Sequence, residues 1–153
     1  MDNVNGKLND EELRAWQAFL HAHHQITRKL DAELRSEHEL PLNAYDVLLR
    51  LARAPGRRLR MTDLAERVLL SPSGLTRVVD RLVAEGLVRR ERFDGDARVM
   101  MAQLTDKGRA VLRRAARTHL RGIREHFTGQ MTVAQLREVA AALETVTGPH
   151  HPH

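Results

Sequence analysis

Two short helical patterns that meet at Ser71, followed at once by a basic hairpin, constrain this 153-residue chain more than any other feature. The first pattern, Thr62 to Val68, turns Leu64, Ala65 and Val68 to one side. The second has Ser71 placed to cap it and Pro72 as its first residue, where a missing N–H costs nothing, and Gly86 is expected to end it. Leu87–Phe93 and Arg98–Leu104 then read as strand arms around Asp94-Gly95-Asp96, a turn sequence that tolerates positive φ. Helix, helix and hairpin in that order predict a winged helix-turn-helix, which lays one helix in the DNA major groove and a loop on the neighbouring minor groove.

Placing Leu75 at 0° and advancing about 100° per residue puts Val78, Val79 and Leu82 within about 60° of it, and Ser73, Arg77, Asp80 and Arg81 on the far side. One face packs and the other is free. The free face begins at a helix N-terminus, where exposed N–H groups favour phosphate, and an arginine there can present its fork to guanine O6 and N7. Ser73, Thr76 and Arg77 are the leading base-reading candidates, with Ser71 as cap and phosphate contact. An ordinary amphipathic helix with a solvated basic face would show the same arc, and the hairpin behind it is what weighs against that reading.

Helical periodicity dominates on both sides. Asn9 or Asp10 can cap a long first helix, reaching Ser36, whose stripe holds Leu13, Trp16, Leu20, Thr27, Leu30 and Leu34. Pro41 and Asn43 open a second helix through Tyr45, Val47, Leu48 and Leu51, stopped by Pro55-Gly56, and Arg57–Arg60 reads as a basic connector. Thr105 caps a long helix with Leu112, Ala116, Leu120, Ile123 and Phe127 on one side, closed by Gly129. Thr132 and Gln135 form a capping box for a final helix carrying Leu136, Val139, Ala140, Leu143 and Val146. The expected fold is mainly α with a small β-hairpin wing: dimerisation helices at 1–36 and 106–147, a winged helix-turn-helix domain at 37–105 and a flexible tail at 148–153. A winged domain of about 65 residues cannot cover both terminal stripes, so they are expected to bury against a second copy, with Leu13, Leu136, Val139 and Leu143 along the seam. Folding back as an intramolecular bundle is the alternative.

Composition excludes several classes. With 42% apolar residues the chain can build a core, yet no apolar run approaches the roughly 20 residues needed to span a bilayer. No leader segment is read either, so no membrane partner and a cytoplasmic location are expected. The absence of cysteine removes disulfides, thiolate-bound zinc, iron–sulfur clusters and thiol redox sensing. Between Arg53 and Arg98 eleven arginines stand against seven acids, which suits a polyanion or simply a solvated surface. His21 and His24 lie one helical turn apart and His150, His151 and His153 crowd the tail, but neither group has a defined third ligand, so no metal or other cofactor is expected. No nucleophile elbow, phosphate loop or paired carboxylates point to an enzyme.

The ordered runs Thr62-Asp63-Leu64-Ala65-Glu66-Arg67, Ser71-Pro72-Ser73-Gly74-Leu75-Thr76-Arg77-Val78-Val79-Asp80-Arg81-Leu82, Gly86-Leu87-Val88-Arg89-Arg90, Asp96-Ala97-Arg98 and Leu104-Thr105-Asp106-Lys107-Gly108 resemble the MarR (multiple-antibiotic-resistance regulator) family. The resemblance implies a homodimeric transcription factor, commonly a repressor, whose two winged domains each take half of a pseudo-palindrome in double-stranded DNA. It implies that Asp96 orients the wing and that Arg98 enters the minor groove, and it extends the DNA-binding set to Thr62, Ser71, Ser73, Gly74, Thr76, Arg77, Arg81, Arg92, Asp96 and Arg98. Two departures stand out: Leu69 occupies a position where relatives often have Gly, and Ala97 replaces an Arg, which predicts fewer electrostatic contacts at the wing. Relatives often release DNA when a small phenolic or aromatic acid binds between the dimer helices and the winged domain. Trp16, Leu20, His23 and Thr27 share one face of the first helix and are the candidate effector residues, with core or interface packing of Trp16 and His23 as the alternative. A metal-responsive regulator and an architectural DNA-binding protein are the other functional readings.

Overall fold

A computed structural model describes residues 6–148, so the tail expected to be flexible lies, after Gly148, outside the described residues, together with His150, His151 and His153. Six helices and a three-stranded antiparallel sheet follow one another as α1 (Asp10–His38), α2 (Leu42–Arg53), β1 (Arg58–Arg60), α3 (Met61–Val68), α4 (Pro72–Ala84), β2 (Val88–Phe93), β3 (Asp96–Leu104), α5 (Asp106–His126) and α6 (Val133–Thr147). No helix among them is long and apolar enough to cross a membrane.

Caps form where the side chains allow them. Asn9 and Glu12 close a reciprocal capping box on α1, Ser71 accepts from the Gly74 N–H on α4, and Thr132 and Gln135 close a second box on α6. α1 runs to His38, past the expected Ser36. The basic connector is in fact a strand. Leu59 is buried between exposed Arg58 and Arg60, and β1 pairs with β3 in the order β1-β3-β2, which covers an edge of the hairpin.

The core is gathered under the winged region. Leu48 and Leu51 of α2, Leu64 of α3, Leu75, Val79 and Leu82 of α4, and Val88 and Leu104 of the sheet are fully buried together. Leu34 from α1 and Leu112 and Ala115 from α5 join them, anchoring both flanking helices. The inward face of α5 differs from the expected one: Leu112, Ala115, Thr118 and Gly122 are buried, while Leu120 is 50% exposed. A glycine gives α5 its seat, because a Cβ at Gly108 would run into the Leu87 carbonyl. Thr105 reinforces the joint, accepting from the Gly108 N–H at 3.0 Å and donating to the Gly86 carbonyl at 2.7 Å.

Two backbone positions correct the local expectations. Gly95 does not use positive φ; its lack of a side chain admits the Phe93 ring, which a Cβ would crowd at 2.9 Å. Leu69, between α3 and α4, does adopt the left-handed conformation with φ 57°, although it is 91% exposed and gains no packing in return. The turn therefore has the shape that glycine supplies elsewhere, imposed on a residue for which it is strained by roughly 1 kcal/mol. Leu69→Gly is expected to raise the thermal unfolding midpoint by relieving about that much strain; a lowered midpoint would show that the leucine contributes more than it costs.

Candidate nucleic-acid interface

α4 buries Leu75, Val79 and Leu82 and turns Ser73, Thr76 and Arg77 to solvent. Their polar groups are not equally available. The Thr76 hydroxyl donates to the Pro72 carbonyl at 2.9 Å, and the Ser71 hydroxyl accepts from Gly74 at 3.1 Å, whereas the Arg77 guanidinium has no hydrogen-bond or ion-pair partner among the described residues. Arg77 is thus the free cation on the outer face. Gly74 is half-buried under the Ser71 cap, and Thr62 and Thr76 border a small cleft between α3 and α4.

Arg81 is committed to the scaffold. It bonds Glu85 on its own helix at 3.1 Å and donates to the Glu39 carbonyl at 2.6 Å, closing the C-terminus of α1, where Glu39 is left-handed. We therefore set it apart from the residues free to reach a base.

The wing tip is organised around Asp96. One carboxylate oxygen accepts from the Arg98 backbone N–H at 3.0 Å and from Nε at 3.2 Å, the other from Nη2 at 3.4 Å, while the Arg98 side chain stays 91% exposed. The Arg98 backbone and side-chain hydrogen bonds hold the Asp96 carboxyl below its ordinary range. Such an exposed pair adds little stability, but it sets the direction in which the guanidinium leaves the turn. Arg92 donates to the Ala97 carbonyl at 3.3 Å and closes the same loop.

Two residues outside the expected set fix the wing to the rest. Arg90 on β2 pairs with Asp80 of α4 and donates to the Thr76 carbonyl at 3.3 Å, so one side chain fastens the hairpin to the exposed side of α4. Arg60 of β1 lies 5.8 Å from the centroid of the Phe93 ring, a cation–π contact at the base of the tip. Composition and periodicity give no sign of either role, since an arginine that clamps and one that reads look alike in a sequence.

Away from this face, α1, the end of α5 and α6 enclose an apolar groove of about 600 Å³. His23 and Thr27 line it, with Phe19, Ile26, Phe127, Val139 and Leu143, but Trp16 and Leu20 do not and are exposed. The Thr27 hydroxyl is already used, donating to the His23 carbonyl at 2.6 Å. Leu13 and Leu143 are exposed, Leu136 and Val139 half-buried, and α6 buries none of its 15 residues. His21 and His24 are exposed on α1. Glu33, Glu125 and His126 bring ligand-type atoms within 4.8 Å of one another, but Oε1 of Glu33 is already hydrogen-bonded to His126 Nε2.

Comparison with known proteins agrees with this geometry. A MarR family model matches residues 38–99. The solved structure of AbsC, a MarR family transcriptional regulator from Streptomyces coelicolor, is 33% identical with a TM-score of 0.85, over 92% of this chain and 95% of that one. Sco3205, a MarR family transcriptional regulator from the same organism solved in complex with DNA, is 34% identical with a TM-score of 0.87, over 95% and 92%. The HTH-type transcriptional regulator PecS of Dickeya dadantii is 32% identical over 102 residues, which are 65% of this chain and only 60% of PecS.

Replacing Asp96 should free the tip without unfolding the domain. In Asp96→Ala the Arg98 backbone amide is expected to lose most of its hydrogen-exchange protection while the other amides of β2 and β3 keep theirs; an unchanged Arg98 amide would mean that Asp96 does not order the turn.

Proposed function

The chain belongs to the MarR family, and from that premise we propose that it acts as a homodimer that binds a pseudo-palindromic operator and represses the genes behind it. Its family and relatives are transcriptional regulators, not enzymes. The observation that carries the finer reading is the pairing of a free Arg77 on α4 with an outward, Asp96-oriented Arg98 on the wing, both held to one body by Arg90. In this reading the N-terminal turns of α4 enter the major groove, where Ser73, Thr76 and Arg77 meet base edges and Thr62, Ser71 and Gly74 lie along the phosphates. Arg98 enters the flanking minor groove, whose negative potential is deepest where it is narrow and A·T-rich, with Arg92 behind it.

Two copies are supported by what one copy leaves uncovered. Leu13, Trp16, Phe19 and Leu20 on α1 and Leu143 and Val146 on α6 stay exposed, an apolar expanse that a second copy of the same helices would cover. A twofold dimer then presents its recognition helices about one turn of the duplex apart, roughly 34 Å. We place effector control at the groove bordered by His23, where a small apolar or aromatic molecule would sit beneath the partner copy and bias the separation of the two winged domains.

The experiment is a binding titration on the operator recovered by selecting genomic fragments. Arg98→Ala and Arg77→Ala should each weaken binding by about tenfold or more, Arg77→Ala with relaxed discrimination at one base pair, as removing a base contact worth about 1–3 kcal/mol requires. For wild type, log K should fall against log salt with a slope near −9 if about ten phosphates are engaged. A flat salt response, or full affinity in both variants, would overturn the reading.

A further inference from the structure

An acid stands among the cations of the face that would read DNA. At about 100° per residue, Asp80 falls between Thr76 and Arg77 on the outer side of α4, one turn further along, and like both it is exposed. A carboxylate there works against DNA binding in two ways. It repels every phosphate that approaches, and from three residues away it can reach the Arg77 guanidinium and draw it back onto the helix.

Neither arginine of its own helix holds this carboxylate. Arg81 is occupied by Glu85 and the Glu39 carbonyl, and Arg77 has no hydrogen-bond or ion-pair partner among the described residues. Asp80 is taken from the wing side instead: Nη2 of Arg90 on β2 lies 2.5 Å from its Oδ1 and donates to the Thr76 carbonyl at 3.3 Å. That second bond anchors the guanidinium to backbone beside the acid. Arg90 keeps only 28% of its side chain exposed, against 91% for Arg98, so its charge is spent within the protein and not offered to phosphate.

We propose that Arg90 guards the reading face: by holding the Asp80 carboxylate it keeps Arg77 free for a base edge and covers a negative charge that phosphate would otherwise meet. The role rests on the DNA-binding reading above. A guard differs from a simple fastening in what Asp80 contributes. In a fastening, Asp80 is the other half of the joint, and losing it weakens binding as losing Arg90 does. Under a guard, Asp80 is the hazard, and the bond from Arg90 to the Thr76 carbonyl still holds the hairpin to α4 when the acid is gone.

Operator affinity at constant salt, measured across four variants, separates the two. Arg90→Gln should weaken binding by about tenfold, as Arg77→Ala does, and adding Arg77→Ala to it should cost little more, because the two remove the same contact. Asp80→Ala should bind as tightly as wild type or tighter, and Arg90→Gln combined with Asp80→Ala should recover most of the loss. Weakened binding in Asp80→Ala, or a combined variant no better than Arg90→Gln alone, would overturn the guard. Solvent exchange of the Arg77 Nε proton, followed by NMR in the free protein, reads the contact without DNA: fast in wild type, slowed in Arg90→Gln, fast again once Asp80→Ala is added. An Arg77 side chain indifferent to Arg90→Gln means that the acid does not reach it, which sinks the proposal even where DNA binds. If the Arg77 proton responds as expected but wild type binds no duplex, the DNA-binding reading is what fails.

Discussion

A helix of 15 residues that buries none of them cannot stand by itself, and α6 is such a helix. Its capping box and good helix formers set where it starts, but an isolated segment of that length is marginal in water, and packing must supply the rest. The exposed N-terminal half of α1 poses the same problem, with Trp16 and Phe19 neighbouring rings 6.2 Å apart in the open. One unsatisfied apolar surface on two helices at the same end of the molecule is best answered by a second copy. That answer would set the separation of the two recognition helices and so the spacing of the operator.

Rigidity between that scaffold and the reading face comes from close backbone approaches more than from ion pairs. Gly108 lets α5 start against the Leu87 carbonyl, Thr105 ties the same corner to Gly86, and Lys107 donates to the Glu85 carbonyl at 2.8 Å. The end of α4, the start of the hairpin and the start of α5 therefore meet at one joint. Arg90 adds the remaining link, from hairpin to α4. These contacts join α5, α4 and the wing as one piece, which is what an effector acting at a distance requires.

Much of the architecture was legible because periodicity and caps act locally. Ser71-Pro72 marks the start of α4 and Leu75, Val79 and Leu82 its inner face, as the structure has them. β1 was not legible, since three residues are too few for an alternation to register and Arg58-Leu59-Arg60 reads as a basic linker until β3 is there to pair with it. On α5 the large side chains misled: Leu120 looks like core, while the seam is built from Thr118, Gly122 and the carboxylate reaching over from α1. Of the candidate sites, Arg77 is exposed with no partner among the described residues and Arg98 is exposed but tied to Asp96, while Arg81 and Arg90 divide between capping and clamping by contacts that only three dimensions reveal.

The paired scaffold is the central physical claim, and sedimentation equilibrium at micromolar concentration, read beside far-ultraviolet circular dichroism, tests it most directly. A single species of twice the 17.4 kDa chain mass, losing mass and helical signal together on dilution, is the predicted result. A stable species of one chain mass with the full helical signal would contradict it, because α6 would then hold its shape with nothing covering it.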